Sequence, residues 1–580
     1  MKPFRNSALA LSLIGLAVVA TPSAARPQRL IHVPGDYTTI TAALSAASSG
    51  DTVQVAAGTY AEGNLHIPVG VALVGAGWQT TTIDGGGAVD AVVYPANGST
   101  VEGFTVQGSG PDYFDCGVWV DQGTITIRDT RLTGNAAGLW AWCFDAATCA
   151  INITLEHNLI VSNSRSGVSS NEYPVFTLRN NTVADNGADG VTLNHASSLA
   201  ENNLIVGNAT TGLANHGGAM VRHNDVWGNG QDYGGDGPGT GDLSLDPLFR
   251  DAHGGDYRLY AGSPAVGHGT PPGTDMGALP FTPVGTPPTG LAVTAVDTFT
   301  WELSWAGSSA AGYAVYLGTA EGFYTRRFDA GTATTYPLSG LPGGLTYYAA
   351  VSAYDAAGDE SLVTAPVSFA VPAAPNGLYE EDSPAVALTG DWTHASDGRA
   401  SGGGYAVSTT AGDTVQFTFN GESVALYRLL DTDGGRATVT IDGASYGTLE
   451  FYFNETRWQA LALYDGLGAG IHALTLRVSA NTHNNSTGHA VVVDAFAVPS
   501  PYPPTPEQDA ALERVNWHRQ IAGIPLVTQD GALNRAAQVH AEYAVIYHDA
   551  HHETPGTSGF IGEWPSELSL IHISEPTRPY

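Results

Sequence analysis

The sequence predicts a mainly β protein: a parallel β-helix, then two β-sandwiches, then a short helical (α/β) fragment. Three observations carry this. A decapeptide bearing asparagine recurs every 22 or so residues between 130 and 233, the coil length of a stacked solenoid. Downstream, apolar and polar residues alternate in runs such as Thr414–Phe419 (TVQFTF) and Ala437–Ile441 (ATVTI), as half-buried strands require. Beyond a proline run at 499–506 the apolar spacing turns helical. Composition agrees. The 580 residues include 72 Gly and 33 Pro, and only 13 % are charged, which suits short strands joined by turns. A hydrophobic share of 43 % supplies packed cores and excludes global disorder.

Residues 1–25 read as a secretory signal peptide. Lys2 and Arg5 form its charged start, Ala8–Ala20 is an apolar run too short to span a bilayer, and Ser23, Ala24 and Ala25 offer a cleavage site. The expectation is a secreted protein, extracellular or on the cell surface, with no membrane span after cleavage. Lys2 is the only lysine, so the mature chain excludes lysine-dependent chemistry. With 55 acidic and 22 basic residues the net charge is −33, which argues against nucleic acid or anionic lipid as a main partner. Cys143 and Cys149 flank a short loop, which suits a local disulfide in an oxidising compartment. Cys116 is left over, and there is no Cys-x-x-Cys on which to build a metal cluster.

The β-helix is expected over 26–282. Related decapeptides start at Asn158 (NLIVSNSRSG), Asn181 (NTVADNGADG), Asn203 (NLIVGNATTG) and Asn224 (NDVWGNGQDY), with a degenerate copy at Thr130 (TRLTGNAAG). Their second asparagines, 135, 163, 186, 208 and 229, step by 28, 23, 22 and 21, and the longest step holds the Cys143–Cys149 loop. Stacked coils place identical residues in ladders. The asparagine can bond up and down its ladder and tolerates the left-handed conformation of a corner. The L-x-x-L-x-L frame of a leucine-rich repeat is absent. Residues 31–87, which contain GDYTTITAALSAASSGDTVQVAAGTYAEG and GVALVGAG, resemble the opening of the pectin lyase-like right-handed β-helix superfamily. The resemblance implies a short helix near 38–47 capping the first coil. The segment SLDPLFRDAHGGDYRLYAGSPAVGHG (244–269) is similar to the end of many secreted β-helix proteins. Both resemblances imply a fold and no particular activity.

Residues 283–372 hold alternating strands (FTWELSW, GYAVY, TYYAAVSAY) between Gly/Pro/Asp turns. They resemble a fibronectin type III domain, with Trp305 as its core tryptophan and Leu341-Pro342 before the tyrosine-bearing strand; such modules are usually spacers. Residues 373–498, from YEEDSPAVALTGDW to VVVDAFAV, resemble the galactose-binding-like jelly rolls appended to secreted bacterial carbohydrate-active proteins. The linker 499–506 follows. Thr505, Pro506 and Gln508 then form a helix start with a capping box. Residues 507–568, with RVNWHRQIAGIPLV and LNRAAQVHAEYA, are similar to the first part of a bacterial cysteine-rich secretory/pathogenesis-related (CAP) domain. That family needs about twice this length, so the expectation is a truncated domain. Residues 569–580 resemble translated sequencing-adapter read-through and are expected to be non-native.

Candidate chemistry follows from the coil alignment. With Gly138, Gly167, Gly190 and Gly212 in register, Trp142, Asn171, Asn194 and His216 form one ladder and Cys143, Glu172, His195 and Gly217 the next. If this stripe faces outward, Glu172, Asp189, His195 and His216 are weak catalytic candidates, for a lyase base or for paired hydrolase carboxylates. In the second sandwich Trp392, Tyr405, Tyr427, Tyr452 and Trp458 are candidates for stacking on sugar rings, although alternation points half of any strand inward. By resemblance to the CAP family, His551 is the first histidine of a metal pocket whose partners are absent from the chain, and one imidazole makes no site. No cofactor is required, and a divalent cation is left open. The leading expectation is a protein that binds an extracellular polysaccharide or cell-surface glycan. The alternative is a polysaccharide lyase or glycoside hydrolase on the β-helix groove.

Overall fold

A computed structural model describes residues 27–143, 149–171, 173–308 and 310–499. The expected leader (1–25), linker residues 500–506, the 507–568 fragment with His551, and the 569–580 tail lie outside them, as does Glu172. The chain forms two compact units, Met1–Asp246 with Gly267–Pro280, and Pro247–Val266 with Phe281 onward.

The first unit is a parallel β-solenoid. Sheet 1 has nine strands, from Leu30–Val33 to Met220–Arg222. Sheet 2 has eight, from Gly58–Tyr60 to Asp225–Trp227, and sheet 3 has eight, from Leu65–Ile67 to Gln231–Gly235. After Leu30–Val33, which adds to sheet 1 alone, every coil contributes one strand to each sheet, which is why the repeat holds three apolar runs. Register stacks the inward residues into aliphatic columns. One runs Val93, Val118, Leu139, Val168, Val191 and Leu213 in sheet 3, and another Ile83, Val106, Leu132, Ile160, Val183 and Ile205 in sheet 2. All are fully buried, each contributing about 1.5–3 kcal/mol. A short helix, Ile40–Ala46, packs Ile40, Ala43 and Leu44 onto this core. Thr39 caps it, and the Glu62 carboxylate accepts from the amides of Ile40 (2.8 Å) and Thr41 (2.9 Å), where the helix end favours an anion.

Two asparagine ladders brace the corners. In the first, Asn158, Asn181, Asn203 and Asn224 each accept, on Oδ1, from the preceding rung, and each donates Nδ2 to a main-chain carbonyl and to the next rung. Asn135, Asn163, Asn186, Asn208 and Asn229 form the second. The left-handed conformation expected at the ladder asparagine falls instead on the residue before it. Those residues are Asp129, His157, Asn180, Asn202 and His223 in the first ladder's coils, and Gly134, Ser162, Asp185, Gly207 and Gly228 in the second's. The rung itself must point inward to reach the neighbouring coil, so the turn is made one residue earlier.

Each ladder ends on an acceptor. Asp242 Oδ1 accepts from Asn224 N (2.8 Å) and Nδ2 (3.1 Å), and Asp232 Oδ1 accepts from Asn229 N (3.1 Å) and Nδ2 (3.0 Å). A terminal rung has donors left over and no further asparagine to receive them, and a carboxylate is acceptor-only.

The second unit holds two antiparallel sandwiches. The first pairs the strands Thr289–Ala295, Trp301–Ala306 and Thr335–Leu338 with a sheet of Arg326–Gly331, Gly312–Gly318, Leu345–Tyr354 and Val367–Val371. Trp305 is in its core, and so is Trp301. Tyr347 donates its hydroxyl to Pro342 O at 3.0 Å, tying a corner of the sandwich. Residues Pro247–Val266, read from sequence as the end of the β-helix, group with this unit. The reason is visible at Glu360, which is fully buried and accepts from Ala261 N (2.9 Å), from Arg327 (2.8 Å) and from the Tyr316 hydroxyl. The second sandwich packs Phe417, Phe419, Phe496, Leu426 and Leu474 between a five-stranded sheet and a larger one built around Val491–Val498.

Candidate functional site

Sheet 3 carries an aromatic column on its outer face. Residues one place after the buried column are His66, Tyr94, Trp119 and Trp140, with His66 opposite Tyr94 and Trp119 opposite Trp140. Period two puts them outside because their neighbours Leu65, Val93, Val118 and Leu139 are inside. The His66 and Tyr94 rings stack at 4.7 Å. At ~4.8 Å per coil the column is ~14 Å long. Beyond Trp140 it stops, since Ser169 is the next rung.

The loop before Cys116–Val120 widens this face. It places Tyr113 (57 % exposed) and Phe114 (50 %) over Trp140, edge to face at 5.6 and 5.3 Å, and Phe114 also meets Trp142 at 5.9 Å. Trp140 is thereby buried, with its Nε1 unpartnered. Asp115 organises the loop by accepting from Asp112 N at 2.8 Å. Between loop and sheet lies a concavity of about 350 Å³, lined by Asp90, Asp112, Asp115, Tyr94, Tyr113, Phe114 and Trp119. Burial pushes the Tyr94 hydroxyl up, and the neighbouring Asp90 adds to it. Arg165 lies over Tyr113, 5.0 Å from the ring centre. Cys116 beneath is fully buried, which pushes its thiol up and leaves it inert at neutral pH. Cys143 and Cys149 form a disulfide with Cα atoms 5.7 Å apart.

The polar stripe singled out from the sequence lies at the end of the same sheet, and two of its side chains, Asn171 and Asn194, hold coils together. Asn171 bonds both main-chain groups of Cys143, and Asn194 Nδ2 donates to Ser170 O at 3.2 Å. Asp189 accepts from Thr211 N at 3.0 Å and from the Thr210 hydroxyl. His195 Nδ1 accepts from Ser197 N at 3.1 Å, a bond within its own coil. His216 is exposed. Among the described residues, no hydrogen bond or ion pair links Asp189, His195 and His216 to one another.

In the second sandwich Trp458 is buried (5 % exposed), against Tyr405 at 5.2 Å and under Arg399. Trp392 packs on the core, Tyr452 stacks on His483 at 4.3 Å, and Tyr427 is half-buried. The concavity there, about 420 Å³, is lined by Glu380, Glu381, Asp382 and His394 and holds none of these rings. Burial raises the Glu381 carboxyl and lifts that of Asp494, which accepts from Ser401 N at 2.8 Å, to about 7.

Residues 44–236 match the family model described as "NosD: Periplasmic copper-binding protein". Copper favours soft thiolate, thioether and imidazole donors. In the matched stretch Cys116 is buried, Cys143 and Cys149 are paired, and His66 lies flat on Tyr94. Among the described residues, no group of three or more His, Cys, Asp or Glu is placed to hold a metal ion. Cys116, the Cys143–Cys149 pair and His66 therefore offer copper no site. No curated protein sequence matches the chain. Solved structures give local likenesses. A Paenibacillus xanthan lyase is 18 % identical over 35 % of this chain, which spans 20 % of the lyase (TM-score 0.20). The A-module of the Azotobacter vinelandii mannuronan C-5 epimerase AlgE4 is 20 % identical over 33 % of this chain and 66 % of its own (TM-score 0.26). A family 35 carbohydrate binding module from Clostridium thermocellum is 20 % identical over 21 % of this chain and 98 % of its own (TM-score 0.17). Likeness at this level says nothing of activity.

The column was legible in part. CGVWV and AGLWA each alternate, and aligning Gly117 with Gly138 puts Trp119 beside Trp140. The repeat alignment on Gly138, Gly167, Gly190 and Gly212 shares only the Gly138 coil with the column, two residues before Trp142. The meeting of Asp90, Asp112 and Asp115 with these rings has no local signal.

Proposed function

We propose that this is a secreted glycan-binding protein whose principal binding face is the aromatic column of sheet 3. The observation that carries the reading is the stacked register of His66, Tyr94 and Trp119, flanked by the exposed rings of Tyr113 and Phe114, which bury Trp140 beneath them. Sugar rings present C–H patches that aromatic faces cover well, and three rungs spanning ~10 Å suit a chain of sugars better than one ring. In this reading the 283–372 sandwich, taken as fibronectin type III-like, is a spacer. The 373–498 sandwich is a second sugar-binding module and the CAP-like fragment a terminal effector. A location outside the cytoplasm is supported by the signal-like leader and by the periplasmic description of the matched family. No described helix is long and apolar enough to cross a membrane.

Retention of the full chain on immobilised glycans tests the reading. Trp119→Ala is expected to weaken binding about tenfold or more, the scale of one lost stacking contact. Trp458→Ala should matter less, because that ring is buried. Full retention by Trp119→Ala, with loss on Trp458→Ala, would move the site to the second sandwich. Release of reducing ends or unsaturated products would instead establish the lyase or hydrolase reading.

A further inference from the structure

We infer that the concavity beside the aromatic column takes an amino-sugar unit, its ammonium held among Asp90, Asp112 and Asp115 while neighbouring sugars lie on Trp119 and Tyr94. The inference rests on the glycan-binding reading and narrows it to a ligand class. Its basis is what lines the concavity: three carboxylates and four aromatic rings, with no basic side chain among them. Asp90 and Asp112 are exposed at the rim, and Asp115 lies buried at the base of the loop it organises. An ammonium there gains from the carboxylates and from the negative faces of the rings at once. A uronate meets like charge from every carboxylate, and the chain has no lysine after Lys2 to relieve it. Arg165 already lies over Tyr113, so that ring's use of a cation is seen within the protein itself. The other titratable groups lining the space are the phenols of Tyr94 and Tyr113, and burial pushes the Tyr94 hydroxyl up, which keeps it from adding a charge to the field of the carboxylates.

The test is calorimetric titration of the full chain with four probes at low ionic strength: a glucosamine oligomer, its N-acetylated counterpart, polygalacturonate and spermine. The glucosamine oligomer is expected to bind about tenfold more tightly than the N-acetylated one, and added salt should narrow that ratio. In the Asp90→Asn/Asp112→Asn variant, whose rim positions leave the core and the Asp115 brace intact, the ratio should fall to about one while N-acetylated binding persists. Trp119→Ala should weaken both oligomers. Equal binding of both oligomers, or tighter binding of polygalacturonate, overturns the amino-sugar inference and leaves the glycan reading standing. Spermine binding as tightly as the oligomer overturns it too, since ammonium alone would then suffice. Absence of binding to every saccharide removes both.

Discussion

Single side chains in the solenoid are either coil-to-coil braces or surface, and Asn186 shows what a brace is worth. It accepts from Asn163 N (3.1 Å) and Nδ2 (2.9 Å), and donates to Ile160 O (3.0 Å) and Asn208 Oδ1 (2.9 Å). Asn186→Ala strands several buried groups at once and is expected to cost about 2–4 kcal/mol in chemical denaturation. Asp225 works in the opposite sense. It is fully buried in sheet 2, with Oδ1 accepting from Leu245 N at 3.1 Å and Oδ2 unpartnered, and burial lifts its carboxyl to about 7. A folded pKa above the unfolded value means the native state keeps a proton that the unfolded chain has released. The stability this carboxyl provides is therefore complete below about pH 4 and lost as pH rises through about 7. Asp225→Asn is expected to raise the thermal midpoint at about pH 8, by an effect of a few kcal/mol at most, and to leave it nearly unchanged near pH 4. A destabilised variant at alkaline pH would contradict that account.

At the scale of elements, the ladders explain both the repeat and its end. The asparagines were readable as rungs because identical residues stack in a solenoid. The turn one residue earlier repeats no single type: its positions are Gly, Asn, Asp, His and Ser, most of which tolerate a left-handed backbone. What they share is a left-handed backbone that only the geometry of the corner demands. The terminal carboxylates are readable only in retrospect. Asp242 Oδ2 also accepts from Gly239 N (2.8 Å) and the Tyr233 hydroxyl (3.1 Å), so four donors converge on one side chain. Asp242→Asn turns an amide toward some of them and is expected to lower stability by about 1–3 kcal/mol. Hydrogen exchange should localise the loss to the last coil. The aromatic column belongs to this scale as well, because no one strand contributes more than one of its four rings.

The whole molecule joins units with separate hydrophobic cores, one in the solenoid and one in each sandwich. Calorimetry is expected to show at least two transitions, and a single two-state transition would mean that the cores are coupled. Local periodicity carries the architecture well: a 22-residue repeat has to close a coil, and alternating strands have to bury one face. It fails at Pro247–Val266, where Glu360, Arg327 and Tyr316 draw the segment to the second unit over about a hundred residues of chain. A net charge of −33 argues against nucleic acid or anionic lipid as a main partner, since both demand a basic face. The sequence by itself thus determined the coil length, the asparagine rungs and the alternation of the sandwich strands, because each is a local pattern. The tertiary structure decided which aromatic rings stand outside, that Asn171 and Asn194 bond to neighbouring coils, and that three aspartates line a concavity with those rings. Those properties depend on register between coils and on a loop folding back over a sheet, and neither is encoded in any one stretch of chain.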